Sequence, residues 1–227
     1  MTKVICFGSQ KGGVGKSTLT MLVSSYLQAS GKRVFVLDAD FPQHSIQKIR
    51  NQEVSNIESD PVLNAAFTER GVAMSEVQTA TIPEGAGMVP MLKKANLYDY
   101  IFIDLPGTLN VDGLSKLAVA MDYFITPMEM DPKTFASGCE SLLMYQKMNP
   151  TLKMGLVWNR TKSSESRTLM DGINQYLSTD MPFVTRLKTV LPDTVSLKRG
   201  SSSIYPCAEK PLLELMDELF GSDGFIG

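Results

Sequence analysis

The sequence predicts an α/β protein with a mostly parallel, twisted sheet that carries helices on both faces. Three observations predict this fold. Short apolar segments alternate with amphipathic ones, a glycine-rich loop follows the first apolar segment, and carboxylates follow later apolar segments. A chain of 227 residues, 43% of them apolar, can bury one sizeable core. We therefore expect a single domain over residues 1–227.

The strands are predicted from short apolar runs bounded by polar residues or glycine. In chain order they are Val4–Phe7, Arg33–Leu37, Gln78–Ile82 (with fewer apolar residues), Tyr100–Asp104, Tyr123–Pro127, Met154–Trp158 and Phe183–Val184. Since parallel strands need crossover connections, we expect helices between most of them.

The helices are predicted from apolar residues at helical spacing and from end signals. They are Lys16–Ser30, a helix from Pro132 to about Met148, Ser163–Leu177 and Pro211–Phe220. Gly31 ends the first, and Asp131 is the expected N-cap of the second. Pro61 and Gly71 divide residues 46–74 into short helices. The expected inward residues of the second helix include Phe135, Leu142 and Leu143.

The bulk composition excludes several classes of protein. No apolar run is long enough to span a bilayer, and the first strand begins without a charged and apolar leader, so we expect a cytoplasmic protein. The three cysteines have no C-x-x-C spacing, which disfavours a disulfide framework and a zinc or iron–sulfur site. A formal charge of −2 gives no global attraction to nucleic acid. Any DNA contact must come from a local patch.

The glycine loop between the first strand and the first helix is typical of phosphate binding. Its glycines allow backbone N–H groups to turn inward around an anion at the positive end of the helix. Lys16 is the expected phosphate lysine, and the Ser17 hydroxyl is available to Mg²⁺. Lys11 is a second lysine in the same loop.

Lys-Gly-Gly-Val-Gly-Lys-Ser-Thr at positions 11–18 resembles the deviant Walker A motif of the ParA/MinD group of ATPases. The resemblance implies a P-loop NTPase fold with ATP and Mg²⁺ as cofactors. It implies that Lys11 crosses to the partner subunit of an ATP-bound homodimer, so that Lys11 and Lys16 both act on phosphates. The residues that it assigns to the nucleotide are Gly12, Gly13, Val14, Gly15, Lys16, Ser17 and Thr18.

Three carboxylates follow predicted strands, where parallel sheets bind their ligands. Asp104, before Leu105-Pro106-Gly107, resembles a Walker B aspartate that holds Mg²⁺ through water. Asp38-Ala39-Asp40 resembles the family's D-x-D-P-Q switch, in which the second aspartate orients the attacking water. Asp38 is a further candidate for the metal. Each carboxylate could instead be an ordinary turn or cap residue.

The switch departs from the family pattern, because Phe41 stands between Asp40 and Pro42-Gln43. We keep Asp40 as the water-positioning residue, since both patterns count forward from the strand end. Gln43 has no assigned role, and His44 is interpreted as a solvated turn residue. The variant resembles ParA-like proteins of conjugative elements.

The adenine contacts are expected from two later segments. Trp158-Asn159-Arg160 resembles the family's base-contacting segment, and residues 191–206 resemble the region that closes over the base. This resemblance assigns Asn159, Arg160 and Pro206 to the nucleotide. The alternative for Asn159 is a cap or turn.

Three branches of the family compete: a DNA-partitioning ATPase, a MinD-like membrane ATPase and an iron–sulfur carrier. The missing C-x-x-C disfavours the carrier. Five acids and one base lie between Ala208 and Gly227, which disfavours contact with an anionic membrane. The leucines of that segment are interpreted as core residues, with Leu213 among them. A basic cluster is either a DNA-binding site or a solvated face, and its residues are Arg186, Lys188, Lys198 and Arg199.

We therefore expect a slow ATP hydrolase that dimerises with ATP and binds duplex DNA without sequence preference. Its expected role is DNA partitioning, in the cytoplasm and on the nucleoid, with a ParB-like activating partner and no membrane contact. The alternative is a DNA-independent, MinD-like positioning or adaptor ATPase.

Overall fold

A computed structural model describes residues 1–71, 74–108, 110–162, 167–194, 197 and 202–227. Seven strands form one sheet: β1 Lys3–Phe7, β2 Val34–Asp38, β3 Glu76–Thr79, β4 Tyr100–Asp104, β5 Tyr123–Met128, β6 Lys153–Thr161 and β7 Val184–Pro192. Their order across the sheet is β3-β2-β4-β1-β5-β6-β7, and all neighbours pair in parallel. The predicted parallel α/β fold is confirmed.

Eight helices lie within the described ranges: α1 Lys16–Ala29, α2 Ser45–Ser59, α3 Pro61–Arg70, α4 Ile82–Ala95, α5 Leu114–Ala120, α6 Pro132–Met148, α7 Arg167–Asp180 and α8 Lys210–Phe220. Asp131 caps α6 as predicted, since its carboxylate accepts bonds from the next turn. Gly71 ends α3 at a φ of 62°, as its position predicts.

The sheet carries an apolar core on each face, because successive strand residues point to opposite sides. Val4 and Cys6 of β1 face one core, which α4 to α7 cover. Ile5 and Phe7 face the other, which α1 and α8 cover. The helices therefore lie on both faces of the sheet, as predicted.

The segment around residue 80 differs from the prediction. Strand β3 ends at Thr79, and Ile82 begins α4 instead of ending a strand. The reason is a capping box, in which Thr81 and Glu84 satisfy each other's backbone N–H groups. Helix α4 itself was not predicted, since Pro90 and two glycines interrupt its helical pattern.

Strand β7 is much longer than the predicted Phe183–Val184, because it continues to Pro192. Its polar residues face solvent along an edge strand, which hides the apolar alternation that strand prediction needs. Two predicted inward leucines are also wrong: Leu143 is 41% exposed and Leu213 is 38% exposed. The predicted start of α7 at Ser163 lies outside the described residues.

The β7 edge contains a bulge that α8 holds. Arg186 pairs with Leu156 and Val190 pairs with Trp158, so three β7 residues stand opposite Val157 alone. The Glu218 carboxylate accepts the N–H groups of Lys188 at 2.5 Å and Thr189 at 2.8 Å. The N–H groups of the bulged backbone are therefore satisfied by a side chain.

None of the helices in the described ranges is long and apolar enough to cross a bilayer.

Candidate functional site

The loop between β1 and α1 has a shape that only glycine permits at several positions. Gly13 and Gly15 have φ values of 80° and 101°, in the region where a Cβ is strained. A Cβ on Gly8 would lie 2.1 Å from the Phe124 ring. The loop can therefore approach both the core and a ligand closely.

Contacts from three other segments hold this loop in place. The Gln10 N–H donates to the Ser141 hydroxyl of α6 at 2.9 Å, and the Asn159 amide of β6 donates to the Val14 carbonyl at 2.7 Å. A Cβ on Gly107, after β4, would lie 2.7 Å from the Gln10 carbonyl oxygen. The loop is thus positioned before any ligand binds.

The two loop lysines have different surroundings. Lys16 is only 9% exposed, and its ammonium donates to the Lys11 carbonyl at 3.4 Å across the loop. The Lys11 side chain is exposed, and its charge helps to lower the pKa of Asp131, after the hydrogen bond from Thr134. Lys16 therefore serves the loop's own cavity, while Lys11 is accessible from outside.

Asp104 ends β4 beneath the loop and is fully buried. Neither carboxylate oxygen has a hydrogen-bond partner of good geometry among the described residues, although the nearby Ser17 hydroxyl favours the ionised form. Burial raises the pKa of Asp104 to about 7, and the charges of Asp38 and Asp40 act in the same direction. A buried, unpaired carboxylate beside a hydroxyl suits a hard cation such as Mg²⁺.

Asp38 caps a helix, which is the alternative role that the sequence left open for the carboxylates. Its carboxylate accepts the N–H groups of Ile46 and Gln47, both at 3.0 Å, at the start of α2. The His44 ring nitrogen lies 3.2 Å from the Asp38 carbonyl oxygen and 3.5 Å from its carboxylate. His44 is thus a contact of the switch, not only a solvated turn residue. Metal contact by Asp38 stays a prediction beside this observed capping of α2.

The Phe41 insertion is accommodated within a tight turn. The Phe41 N–H donates to the Ala39 carbonyl at 3.0 Å, and the His44 N–H donates to the Asp40 carbonyl at 2.8 Å. The Phe41–Pro42 peptide is cis, and the Phe41 side chain is 66% exposed. Burial raises the pKa of the Asp40 carboxyl, while Lys16 opposes this shift. Asp40 still lines the cavity despite the insertion.

An open cavity of about 380 Å³ lies over the loop. Its lining unites four predicted groups, namely the glycine loop, the switch, the turn after β4 and the end of β6: Gly12, Gly13, Gly15, Lys16, Ser17, Thr18, Asp40, Phe41, Gln43, Ser45, Pro106, Gly107, Thr108 and Arg160. The sequence reasoning missed Gln43, Ser45 and Thr108. Within the described ranges, no three His, Cys, Asp or Glu side chains converge as a metal site. This arrangement suits a cation that takes most of its ligands from phosphate and water.

A narrow crevice of about 20 Å³ adjoins the loop on its other side. Asn159 and Arg160 line it together with Leu191 and Pro192. The two later segments that were expected to contact adenine therefore meet at this crevice. Arg160 has a φ of 55°, and its guanidinium nitrogen Nη1 lies 3.5 Å from the carboxylate oxygen Oε1 of Glu129. Pro206 is exposed and lines neither the cavity nor the crevice.

The predicted basic cluster is only partly described. Arg186 and Lys188 are exposed on β7. The carboxylate of Glu218, in α8, accepts the backbone N–H of Lys188. Lys198 and Arg199 lie outside the described residues. The clustering of all four remains a prediction.

Comparisons with known proteins show similarity over most of the chain. The model of the CobQ/CobB/MinD/ParA nucleotide binding domain matches residues 5–204. The chain is 26% identical to the chromosome-partitioning ATPase Soj of Treponema pallidum over 91% of this chain and 89% of that protein. The match begins within β1 and extends past the crevice.

Two solved structures share the fold. A plasmid partition protein of Borrelia burgdorferi bound to AMPPNP has a TM-score of 0.64 at 19% identity, covering 94% of this chain and 95% of its own. MinD of Pyrococcus horikoshii, complexed with Mg-ADP, has a TM-score of 0.62 at 19% identity, covering 100% and 93%. At such identities, the likeness concerns the fold.

Proposed function

Because the chain belongs to the CobQ/CobB/MinD/ParA family of nucleotide-binding domains, we propose that it is a slow, Mg²⁺-dependent ATPase that switches by ATP-driven dimerisation and binds DNA nonspecifically during DNA partitioning. The observation that carries this proposal is the pair of loop lysines. One is buried over its own cavity and the other is exposed beside it. A single subunit needs only the first lysine, so the second suits a nucleotide bound by a neighbouring copy.

The chain's own groups supply most of what phosphoryl transfer requires, which is positioning and charge stabilisation. The loop N–H groups and the start of α1 bind phosphate oxygens, and Lys16 balances their charge. Ser17 would hold the metal directly and Asp104 would hold it through water. When bound there, Mg²⁺ neutralises charge that develops on the phosphates.

Asp40, which lines the cavity, would orient the attacking water. Its raised pKa results first from burial, which leaves a carboxylate with few competing partners. In the dimer, Lys11 would reach the phosphates held by the partner subunit. We propose slow turnover, as suits an ATPase that acts as a timing switch.

The proposed dimer presents two copies of the basic residues Arg186 and Lys188 to duplex DNA. Each copy alone would bind weakly, and pairing raises the apparent affinity because the second contact becomes intramolecular. A ParB-like partner would stimulate hydrolysis and release the DNA. We place this cycle in the cytoplasm, on the nucleoid.

A second candidate function is a DNA-independent, MinD-like positioning or adaptor ATPase. The observation in its favour is Glu218, whose carboxylate bonds to the backbone of Lys188 and places an acid beside the basic cluster. A nearby acid weakens attraction for phosphate. The nucleotide site would be the same in both candidates.

Retention of nonspecific duplex DNA in the presence of ATP, ADP or no nucleotide tests the proposal. We expect binding only with ATP, and a steep decrease with salt. Arg186→Glu with Lys188→Glu should abolish retention and leave ATP-driven dimerisation intact. The control is Lys32→Glu with Lys94→Glu, which makes the same charge change at exposed sites near the amino ends of the strands. ATP dimers that retain no DNA at low salt would favour the adaptor.

A further inference from the structure

A buried arginine joins α2, the helix that follows the switch, to two distant segments. Arg50 of α2 is 7% exposed. Its guanidinium donates to the Ser75 carbonyl at 2.5 Å and hydroxyl at 2.9 Å, just before β3. It also donates to the Ser203 carbonyl at 2.6 Å and hydroxyl at 2.7 Å. Four bonds from one side chain therefore connect three parts of the chain.

Glu53, on the same side of α2, completes the connection to Ser203. Its carboxylate accepts the Ser203 N–H at 3.0 Å and also the Ser203 hydroxyl. Ser203 is thereby bonded to α2 through its N–H, its carbonyl and its hydroxyl. Among the described residues, the contacts of Ser75 with α2 come from Arg50.

The other end of α2 belongs to the nucleotide cavity. Asp38 caps the helix at Ile46 and Gln47, and Ser45 lines the cavity. Arg50 follows one turn later on a continuous helix, about 8 Å along its axis from Ser45. A movement of the switch that shifts the start of α2 would therefore also shift the guanidinium.

The burial of Arg50 argues for more than packing. Burial lowers the pKa of the Arg50 guanidinium, and the nearby Glu53 charge opposes this shift without a direct bond among the described residues. A buried charge of this kind is costly, and an apolar side chain of similar volume often stabilises a fold as well. A set of directional hydrogen bonds, however, fixes the positions of the bonded groups relative to each other more strictly than an apolar contact does.

We propose that Arg50 is a positioning residue that couples the switch at Asp38–Asp40 to the segment that begins at Ser202. In the chain, this segment begins three residues after Arg199, the last residue of the predicted basic cluster. The nucleotide state would thereby control the position of the segment that begins at Ser202. The inference rests on the proposed nucleotide switch and specifies its regulation.

Amide hydrogen exchange, followed by mass spectrometry on the full chain, measures this coupling directly. Exchange is compared without nucleotide and with Mg²⁺ and a nonhydrolysable ATP analogue. In the parent, the analogue should slow exchange at the loop, at Ile46–Gln47 and at Ser203–Tyr205. We expect a change of about tenfold at the last segment, within the usual range of coupling between sites.

Two serine variants make a matched pair. Ser203→Ala removes bonds from Arg50 and Glu53, whereas Ser75→Ala removes a bond from the same guanidinium on its other side. Ser203→Ala keeps the backbone bonds to Arg50 and Glu53 but loses both hydroxyl bonds, so it should weaken the response at residues 203–205 and retain it at Ile46–Gln47. Ser75→Ala should retain both responses. Arg50→Lys keeps the charge and should restore part of the response that Arg50→Met loses.

The outcomes separate this inference from the proposed function. If the parent shows no response at the loop, the chain does not bind the nucleotide and the proposed function fails. If the loop and Ile46–Gln47 respond while residues 203–205 do not, the coupling alone is wrong. An equal response at 203–205 in Ser203→Ala and in Ser75→Ala would likewise overturn it, since Ser203 would then have only a structural role.

Discussion

The side-chain amide of Asn159 donates a hydrogen bond of 2.7 Å to the carbonyl of Val14, so that the end of β6 holds the phosphate loop. Both groups are buried, and a Cβ on the next residue, Gly15, would lie 2.4 Å from the same amide nitrogen. The loop and this asparagine therefore fit each other closely. Nucleotide affinity should depend on the pair.

Asn159→Ala should weaken ATP binding by about fivefold to tenfold, because loss of the donor leaves the Val14 carbonyl unpaired at about 1 kcal/mol or more. Isothermal titration measures this change. Asn149→Ala is the control: it removes another buried asparagine, which donates to the Ala118 and Met121 carbonyls at the opposite end of the sheet. It should lower stability and leave ATP affinity unchanged. Weaker ATP binding by Asn149→Ala together with unchanged binding by Asn159→Ala would contradict our assignment.

The two loop lysines should separate binding from dimerisation. Lys16→Ala should weaken ATP binding about a hundredfold, since a hydrogen bond to a charged group contributes about 1.5–3 kcal/mol. Lys11→Ala should bind ATP normally but fail to dimerise or to show stimulated hydrolysis. Nucleotide titration combined with light scattering distinguishes the two. Equal loss of ATP affinity in both variants would exclude the cross-subunit role of Lys11.

Asp40→Ala should slow hydrolysis by about a hundredfold or more, in line with the usual contribution of a group that assists proton transfer. The loop and Asp104 remain, so ATP dimers should accumulate. Phosphate release and sedimentation measure the two effects. A variant that hydrolyses ATP like the parent would mean that the Phe41 insertion has moved the catalytic position elsewhere.

Two glycines of the loop should respond differently to alanine. Gly8→Ala should destabilise the fold by about 1–3 kcal/mol, since its methyl group would overlap the buried Phe124 ring. Gly12→Ala should be tolerated, because a Cβ there meets nothing within 4 Å. Urea unfolding of both variants gives the comparison. Similar stabilities would show that the Phe124 ring can move aside.

The cap of α6 should give a pH-dependent contribution to stability. The Thr134 hydroxyl and backbone N–H groups lower the pKa of Asp131 in the folded state, so the ionised cap stabilises the fold above the unfolded pKa of about 3.9. This contribution is lost as the pH falls through the folded pKa. Asp131→Ala should cost about 1 kcal/mol near neutral pH.

The matched variant for this cap is Asp131→Asn, which keeps a good N-cap without a titrating group. Unfolding free energies from pH 7 down to pH 3 should show the advantage of the parent over Asp131→Ala shrinking. The difference between Asp131→Asn and Asp131→Ala should stay constant over the same range. A constant advantage of the parent would place the effect in the cap geometry alone.

Local signals predicted the centre of the fold and of the site. Buried parallel strands such as β4 are short apolar runs, and Asp104 stands at the end of one. The glycine loop is one contiguous motif, so Lys16 and Ser17 could be named from it directly. The central strands and the positions of the loop residues therefore required no long-range information.

The remaining features depend on contacts between distant residues or on conflicting local signals. Arg50 contacts Ser75 and Ser203, and Ser141 contacts Gln10, pairs that no local pattern connects. Helix α4 forms despite Pro90, because its capping box and buried face outweigh local propensity. Such features follow from tertiary packing.

The bulge of β7 also affects how this protein can associate with itself. An open edge strand with regular, unpaired N–H groups is a template for another strand, and it promotes fibrillar aggregation. Here Glu218 occupies two of those groups and the bulge breaks the regular spacing of the edge. Concentrated protein should therefore resist strand-to-strand polymerisation at β7, which leaves reversible assembly to surfaces elsewhere on the molecule.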